Sequence, residues 1–263
     1  MPIIDDLLAA LALTSDDAPV QQVLIGAFWT VVVVETSQGP RGGLASALRP
    51  AGHDDFPVRD AGRLTERSAR ELAALLRSDN PLEASVGLAA VNALLPVDEA
   101  RCTEVNAQDL VLERGAGRRV AVVGHFPFVP QLRQTAAHCD VLELRPRPGD
   151  LPADEAARVL PQADVVALTA ASLINHTCDD LLALCRPDAL VVLMGPSTPL
   201  WPGFFDRGVD VLAGSRVTDV EAVLRAVGQG ATFRQLKHAG IRFAAMWRGQ
   251  PASKNILGGY DNG

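Results

Sequence analysis

The residue type best placed to do chemistry is an imidazole at the end of a short apolar run. In the stretch from Arg119 to Pro130, RVAVVGHFPFVP, the segment Val120 to Gly124 is too short for a helix and rich in β-branched residues, so it reads as a buried parallel strand. Gly124 permits a sharp bend at the carboxyl end of that strand, and open α/β sheets hold their ligands at that edge. His125 follows the bend. Imidazole titrates near neutrality and binds late transition metals, so His125 is a candidate general acid or base and a candidate metal ligand. Bulk fills the next places. Phe126, Pro127 and Phe128 stand where the G-x-G-x-x-G dinucleotide fingerprint would need its later glycines.

Two further loops should converge on the same edge. TAASLINHT, from Thr169, supplies Thr169, Ser172 and Asn175; GPSTPL supplies Gly195, Pro196, Ser197 and Thr198. This lining is neutral and polar, which suits an organic molecule or a metal chelate better than a hard cation. Glu143, nineteen positions after Gly124, stands where nucleotide-binding folds place the acid that bonds ribose hydroxyls. Without the glycine pattern it is a secondary candidate.

The remaining metal-type residues are less well placed. Cys102, Cys139, Cys178 and Cys185 form no C-x-x-C pair, and Cys178, Leu181, Leu182 and Cys185 follow the spacing of a helix core stripe. His176 and Asp180, at i and i+4, read as a solvated pair. There is no G-x-S-x-G, and Ser197 lies within a proline-bounded turn, so nucleophilic hydrolysis has little support.

A β-α-β-α rhythm must position these loops. Strands are expected at 119–124, 140–145, 164–169, 189–194 and 209–213, alternating with helices at 127–137, 153–160, 172–186 and 218–227, as in a doubly wound parallel sheet. Before them, a small α+β unit is expected: a helix at 3–13, strands near 20–27 and 29–36, a third at 44–48 after a QGPRGG turn, and a helix at 65–77. The next helix, near 81–95, is apolar almost all round and therefore buried. Asn80, Pro81 and Glu83 occupy the cap, first-turn and third positions of a capping box at its start. Ser85 and Asn92, seven residues apart on one face, either satisfy internal hydrogen bonds or line a site between domains. The domains are expected at 1–100 and 101–250, with 251–263 a flexible tail.

Composition narrows the function classes. With 263 residues and a net charge of −7 the chain has no basic footprint, which argues against nucleic acid and anionic membrane as partners. The start lacks a basic region and is too short to span a bilayer, so a cytoplasmic location is expected.

VVGHFPF, EASVGLAAVNALL, LTAASLINHT and VVLMGPSTPL together resemble, almost along the whole chain, the family called putative heavy-metal chelation proteins. The resemblance implies an enolase amino-terminal-like domain, then a Rossmann-like domain, with a site between them. By position it implies that Glu83, Ser85, Asn92, Gly124, His125, Thr169, Ser172, Gly195, Pro196 and Thr198 face a shared cleft. The leading expectation is a protein that takes a metal, or a metal chelate or its organic precursor, in that cleft. The alternative is a Rossmann-type small-molecule enzyme with His125 as general acid or base and a nucleotide-derived cofactor at Glu143. A third is a non-catalytic assembly protein whose helix 81–95 packs in a subunit interface; a homodimer is compatible with all three.

Overall fold

The computed structural model describes residues 2–14, 16–49, 57–104 and 106–249; the expected tail at 251–263 lies outside the described residues. The fold is mixed α/β, a small α+β unit followed by a parallel-rich, doubly wound sheet. The first unit comprises α1 (Ile3–Thr14), the antiparallel meander β1 (Val20–Ile25), β2 (Trp29–Thr36) and β3 (Gly39–Ser46), and then α2 (Ala69–Ala73) and α3 (Pro81–Leu94).

β2 is buried on both faces, which explains its unbroken apolar run. Val32 and Val34 face the core that contains α3, while Trp29, Val31 and Val33 face a second core completed from the far end of the chain. α3 is buried from Glu83 to Val91 and again at Ala93 and Leu94. It is therefore enclosed within this chain, and the expectation that it serves a subunit interface is corrected.

Two expected elements differ. β3 begins at Gly39, so the glycine-rich stretch is strand and the turn is Ser37–Gln38. The glycines are there because α3 comes very close: a Cβ on Gly43 would lie 2.0 Å from the Ala89 carbonyl oxygen and 2.3 Å from the Ala93 nitrogen. The helix expected at 65–77 is broken, because extended Arg67 interrupts it and Ser68 restarts it with a capping box to Glu71.

The second unit contains β4 (Cys102–Thr103), α4 (Ala107–Gly115), β5 (Arg119–Val123), α5 (Val129–Thr135), β6 (His138–Glu143), β7 (Leu151–Pro152), α6 (Ala156–Val159), β8 (Val165–Thr169), α7 (Cys178–Ala183), β9 (Leu190–Met194), β10 (Val211–Val217), α8 (Val220–Gly228), α9 (Phe233–Leu236) and β11 (Ile241–Trp247). Its eight strands lie in the order β4-β11-β10-β9-β8-β5-β6-β7. From β10 to β7 all neighbours are parallel, whereas β11 and β4 extend the sheet antiparallel. Counted in chain order, the parallel strands run 3-2-1-4-5-6. The order reverses between β5 and β8, the place where open α/β sheets hold their ligands.

Alternation along the strands fills both faces. Val120, Val122, Val165 and Ala167 pack with α4 and α5, while Ala121, Val166 and Leu168 join the core that continues into the first unit. The expected helix at 172–186 splits into a 3-10 turn, Ala170–Leu173, and α7, because His176 takes a φ of +60° between them. α8 and α9 leave the second sheet to cover the outer face of the meander, where the Trp29 indole N–H donates to the Ala231 carbonyl at 3.1 Å. No helix among the described residues is long and apolar enough to cross a membrane.

The close approach at Gly43 predicts that Gly43→Ala destabilises the fold by about 3 kcal/mol, because only backbone could move aside. Gly228→Ala, whose Cβ would meet only Leu24 at 3.7 Å, should stay within about 0.5 kcal/mol of the native protein. Denaturant titration of both variants is the check.

Candidate functional site

β5 and β8 meet side by side where the strand order reverses. Gly124 has a φ of +94°, and a Cβ there would lie 3.1 Å from the Thr169 side chain, so both conformation and space favour glycine. Its amide donates to the Leu142 carbonyl at 2.9 Å, which ties the bend to β6. His125 emerges next, with its side chain 19% exposed. In the residues that follow, the rings of Phe126 and Phe128 stack at 5.5 Å, with Phe128 buried. This is an aromatic floor where a dinucleotide loop would have glycines.

His125 is held by a residue that sequence reasoning missed. Its Nδ1 lies 3.2 Å from Oδ2 of Asp150, a fully buried carboxylate. Arg133 donates to the other oxygen at 2.8 Å, and the Arg147 amide donates to Oδ2 at 3.2 Å. Burial alone would raise the Asp150 pKa; the Arg147 amide, Arg133 and His125 outweigh it and hold the carboxyl below its usual range. An ionised carboxylate only accepts, so Nδ1–H donates to Asp150 and Nε2 is the ring nitrogen left outside that bond. Among the described residues no hydrogen bond engages Nε2.

The second loop is tightly organised. Thr169 Oγ1 accepts the Ala171 amide at 3.3 Å, and the buried Ser172 hydroxyl donates to the Thr169 carbonyl at 2.7 Å. Asn175 Oδ1 accepts the Thr177 hydroxyl at 2.8 Å. The expected His176–Asp180 pair is corrected: the left-handed turn at His176 swings the ring toward the first unit, where Nε2–H donates to the Leu76 carbonyl at 2.8 Å and Nδ1 lies 3.9 Å from Asp79.

The third loop joins the two units. Gly195 bends at φ +117°, the Thr198 amide closes a turn onto its carbonyl at 3.0 Å, and the Ser215 hydroxyl donates to the Pro196 carbonyl at 3.0 Å. Buried Ser197 accepts the Ser46 amide of β3 at 2.8 Å. Asn92 of α3 donates at 2.9 Å to both the Leu44 and Ser197 carbonyls. Thr198 Oγ1 is buried with no partner among the described residues.

Glu83 and Ser85 lie at the other end of α3. Asn80 caps the helix through the Leu82 amide, but Glu83 does not complete the expected box. Its carboxylate takes the backbone amide and the guanidinium of Arg59 and the Ser78 hydroxyl instead. Arg59 above all, and then Ser78, hold its carboxyl down at about 2 against an ordinary 4.5, overcoming the opposing effect of burial. Ser85 donates to the Pro81 carbonyl at 2.6 Å and accepts the Leu48 amide at 3.3 Å. Glu143, at the end of β6, accepts the Leu144 amide at 3.2 Å.

The metal-binding inventory is short. Among the described residues no three His, Cys, Asp or Glu side chains converge as a metal shell. Burial pushes all four thiols up, Cys178 to about 12 and Cys185 to about 11, so none is a thiolate at neutral pH. These residues do not fit a bare heavy-metal ion; what they offer is one oriented imidazole nitrogen.

The depressed Glu83 pKa makes a signed prediction. Its stabilisation is complete above pH 4.5 and is lost as pH falls through about 2. Glu83→Gln should therefore cost about 2 kcal/mol at pH 7, with the gap to the native protein narrowing between those two pH values. Unfolding curves collected across that range measure the gap.

Residues 5–95 and 106–246 each match a family model described as putative heavy-metal chelation. An uncharacterized protein of Methanocaldococcus jannaschii is 26% identical over 165 residues, covering 60% of this chain and 64% of that protein's length. The crystal structure of a DUF364-family protein of unknown function from Desulfitobacterium hafniense is similar, with a TM-score of 0.77 and 26% identity over 93% of this chain and 99% of that one. One from Pyrococcus horikoshii has the same TM-score and coverage at 23% identity, and that likeness speaks for the fold alone. With both of its halves matched, the chain belongs to the putative heavy-metal chelation family.

Proposed function

We propose that the protein binds a small organic ligand, most simply a metal chelate, at the carboxyl edge of β5 and β8, in a cleft between its two domains, with His125 as the contact residue. The observation that carries this reading is the His125–Asp150 pair at the strand-order reversal. A carboxylate on one ring nitrogen is the common outer partner of a metal-bound histidine: it fixes the tautomer and raises the basicity of the other nitrogen. A single imidazole holds a heavy metal poorly by itself. It can complete the coordination of a metal already held by an organic chelator, and the neutral loops at Thr169 and Gly195 suit the organic part.

The same pair also supports a second reading. A histidine oriented by a buried aspartate is the arrangement of a general base, and Glu143 ends the strand that in this order faces an adenosine ribose. On that reading the protein is a small-molecule enzyme, and adenosine-containing cofactors should raise its melting temperature in a Glu143-dependent way.

Copper(II) nitrilotriacetate, which leaves coordination positions open, tests the leading reading on full-length untagged protein. An imidazole-coordinated copper signal, read from the remote ring nitrogen by pulsed electron paramagnetic resonance, is expected in the native protein and missing in His125→Ala; Asp150→Asn should weaken the binding by roughly tenfold. Identical spectra and affinities for native and His125→Ala protein would sink the proposal, since the other histidines would then account for all binding.

A further inference from the structure

We infer that the ligand at this edge is anionic, with carboxylate or phosphate oxygens taken by Arg145 and Arg147. This rests on the reading that a small molecule binds beside His125, and it names the chemical class of that molecule.

The loop from β6 to β7 reads LRPRPGD, from Leu144 to Asp150. It is built to stay in place. Pro146 and Pro148 restrict its backbone, Arg133 donates to the Gly149 carbonyl at 2.7 Å, and the Asp150 amide donates to the Arg147 carbonyl at 2.9 Å. The Arg147 amide returns a bond to Asp150 Oδ2, the oxygen that also meets His125 Nδ1. One carboxylate oxygen thus separates the Arg147 backbone from the His125 ring. Arg145 sits two residues earlier, and its guanidinium donates to the Arg49 carbonyl at 3.4 Å, which brings it against the first unit.

What singles out these two cations is their place on a loop whose backbone bonds the carboxylate that orients His125. Some arginines of this acidic surface meet carboxylates, as Arg158 meets Glu155, Arg186 meets Asp188 and Arg242 meets Glu104, while Arg118, Arg225 and Arg234 lie exposed without an ion pair among the described residues. Among the described residues neither Arg145 nor Arg147 lies within ion-pair distance of one, and both are exposed. Glu143, the acid nearest Arg145 in sequence, has a side-chain oxygen on the Leu144 amide, and Asp150, the acid nearest Arg147, meets that residue through its backbone amide. A fixed loop whose backbone bonds the carboxylate that orients His125 therefore carries two guanidinium groups with no ion pair among the described residues. Guanidinium recognises planar carboxylates and phosphates through paired N–H donors, and metal-binding organic acids and phosphate esters both carry such groups.

Two copper complexes with open positions but opposite charge test this on the full chain: copper(II) nitrilotriacetate, singly negative, and copper(II) diethylenetriamine, doubly positive. The increment in affinity over His125→Ala should favour the negative complex by roughly tenfold. That preference should vanish in Arg145→Gln/Arg147→Gln and persist in Arg158→Gln. Equal affinity for the two complexes, or a preference that survives the double variant, overturns the inference; His125-dependent copper binding would in that case leave the chelate reading standing. If neither complex binds, inorganic phosphate decides at matched ionic strength. Thermal stabilisation of the native protein that is lost in the double variant would retain the anion site and count against the metal. No response to phosphate would overturn the anion site as well.

Discussion

Everything in this molecule is arranged around the burial of α3. A helix buried along nearly its whole length can bring polar side chains inside only if each finds a partner, because an unsatisfied buried group costs about 1–3 kcal/mol. α3 carries three, and each reaches a different part of the chain. Glu83 holds the Arg59 segment, Ser85 holds the amide at Leu48, and Asn92 bridges the edge of β3 to the Ser197 loop of the second sheet. The apolar surface supplies cohesion, while these polar groups decide how the parts sit on it. Asn92 matters most for the site, since one carboxamide fixes the third loop of the parallel sheet against the meander.

Asp150 plays the corresponding part at the sheet edge. A fully buried carboxylate is stable only where several donors converge, and here they come from α5, from its own loop and from His125. One charge thereby settles three things together: the path of the 144–150 loop, which ring nitrogen of His125 faces it, and the direction of the other nitrogen. Asn175 and Ser172, by contrast, direct their side-chain bonds within their own loop, so they shape its wall. The positions implied by family likeness thus divide by what their side chains touch. Gly124 and Thr169 pack together at the carboxyl ends of β5 and β8, Asn92 joins the Gly195–Thr198 turn, and Glu83 and Ser85 serve the opposite end of α3.

Much of this architecture was legible because it rests on local periodicity. The β5, β8 and β9 runs and the apolar α3 announce themselves through composition, and the bend at Gly124 follows from its place after a strand. β11 escaped notice because IRFAAMW alternates poorly and its partner β10 is remote in sequence. β4 and β7, two residues each, carry no periodic signal at all. The glycines of β3 suggest a turn until α3 is seen against them. Asp150 was invisible for a different reason: an aspartate after Pro-Gly is an ordinary turn residue, and only the parallel pairing of β5 with β6 and of β6 with β7 carries it to His125. Strand order, which no local pattern encodes, is what converts an isolated histidine into a site.

On the reading proposed above, the chemistry implied by the family description divides between protein and ligand. Selective capture of a bare heavy-metal ion requires several soft donors at close quarters. At the strand edge the described residues provide one imidazole, His125, and burial keeps the four thiols protonated. A protein so equipped gains little discrimination from the metal itself; discrimination has to come from whatever surrounds the metal. Charge on the arginine-bearing loop, the shape of the Phe126–Phe128 floor and the neutral walls at Thr169 and Gly195 are features that an organic shell can register and a naked ion cannot. Chelation, in this sense, is the work of the bound molecule, and the fold's contribution is to recognise a metal that has already been wrapped.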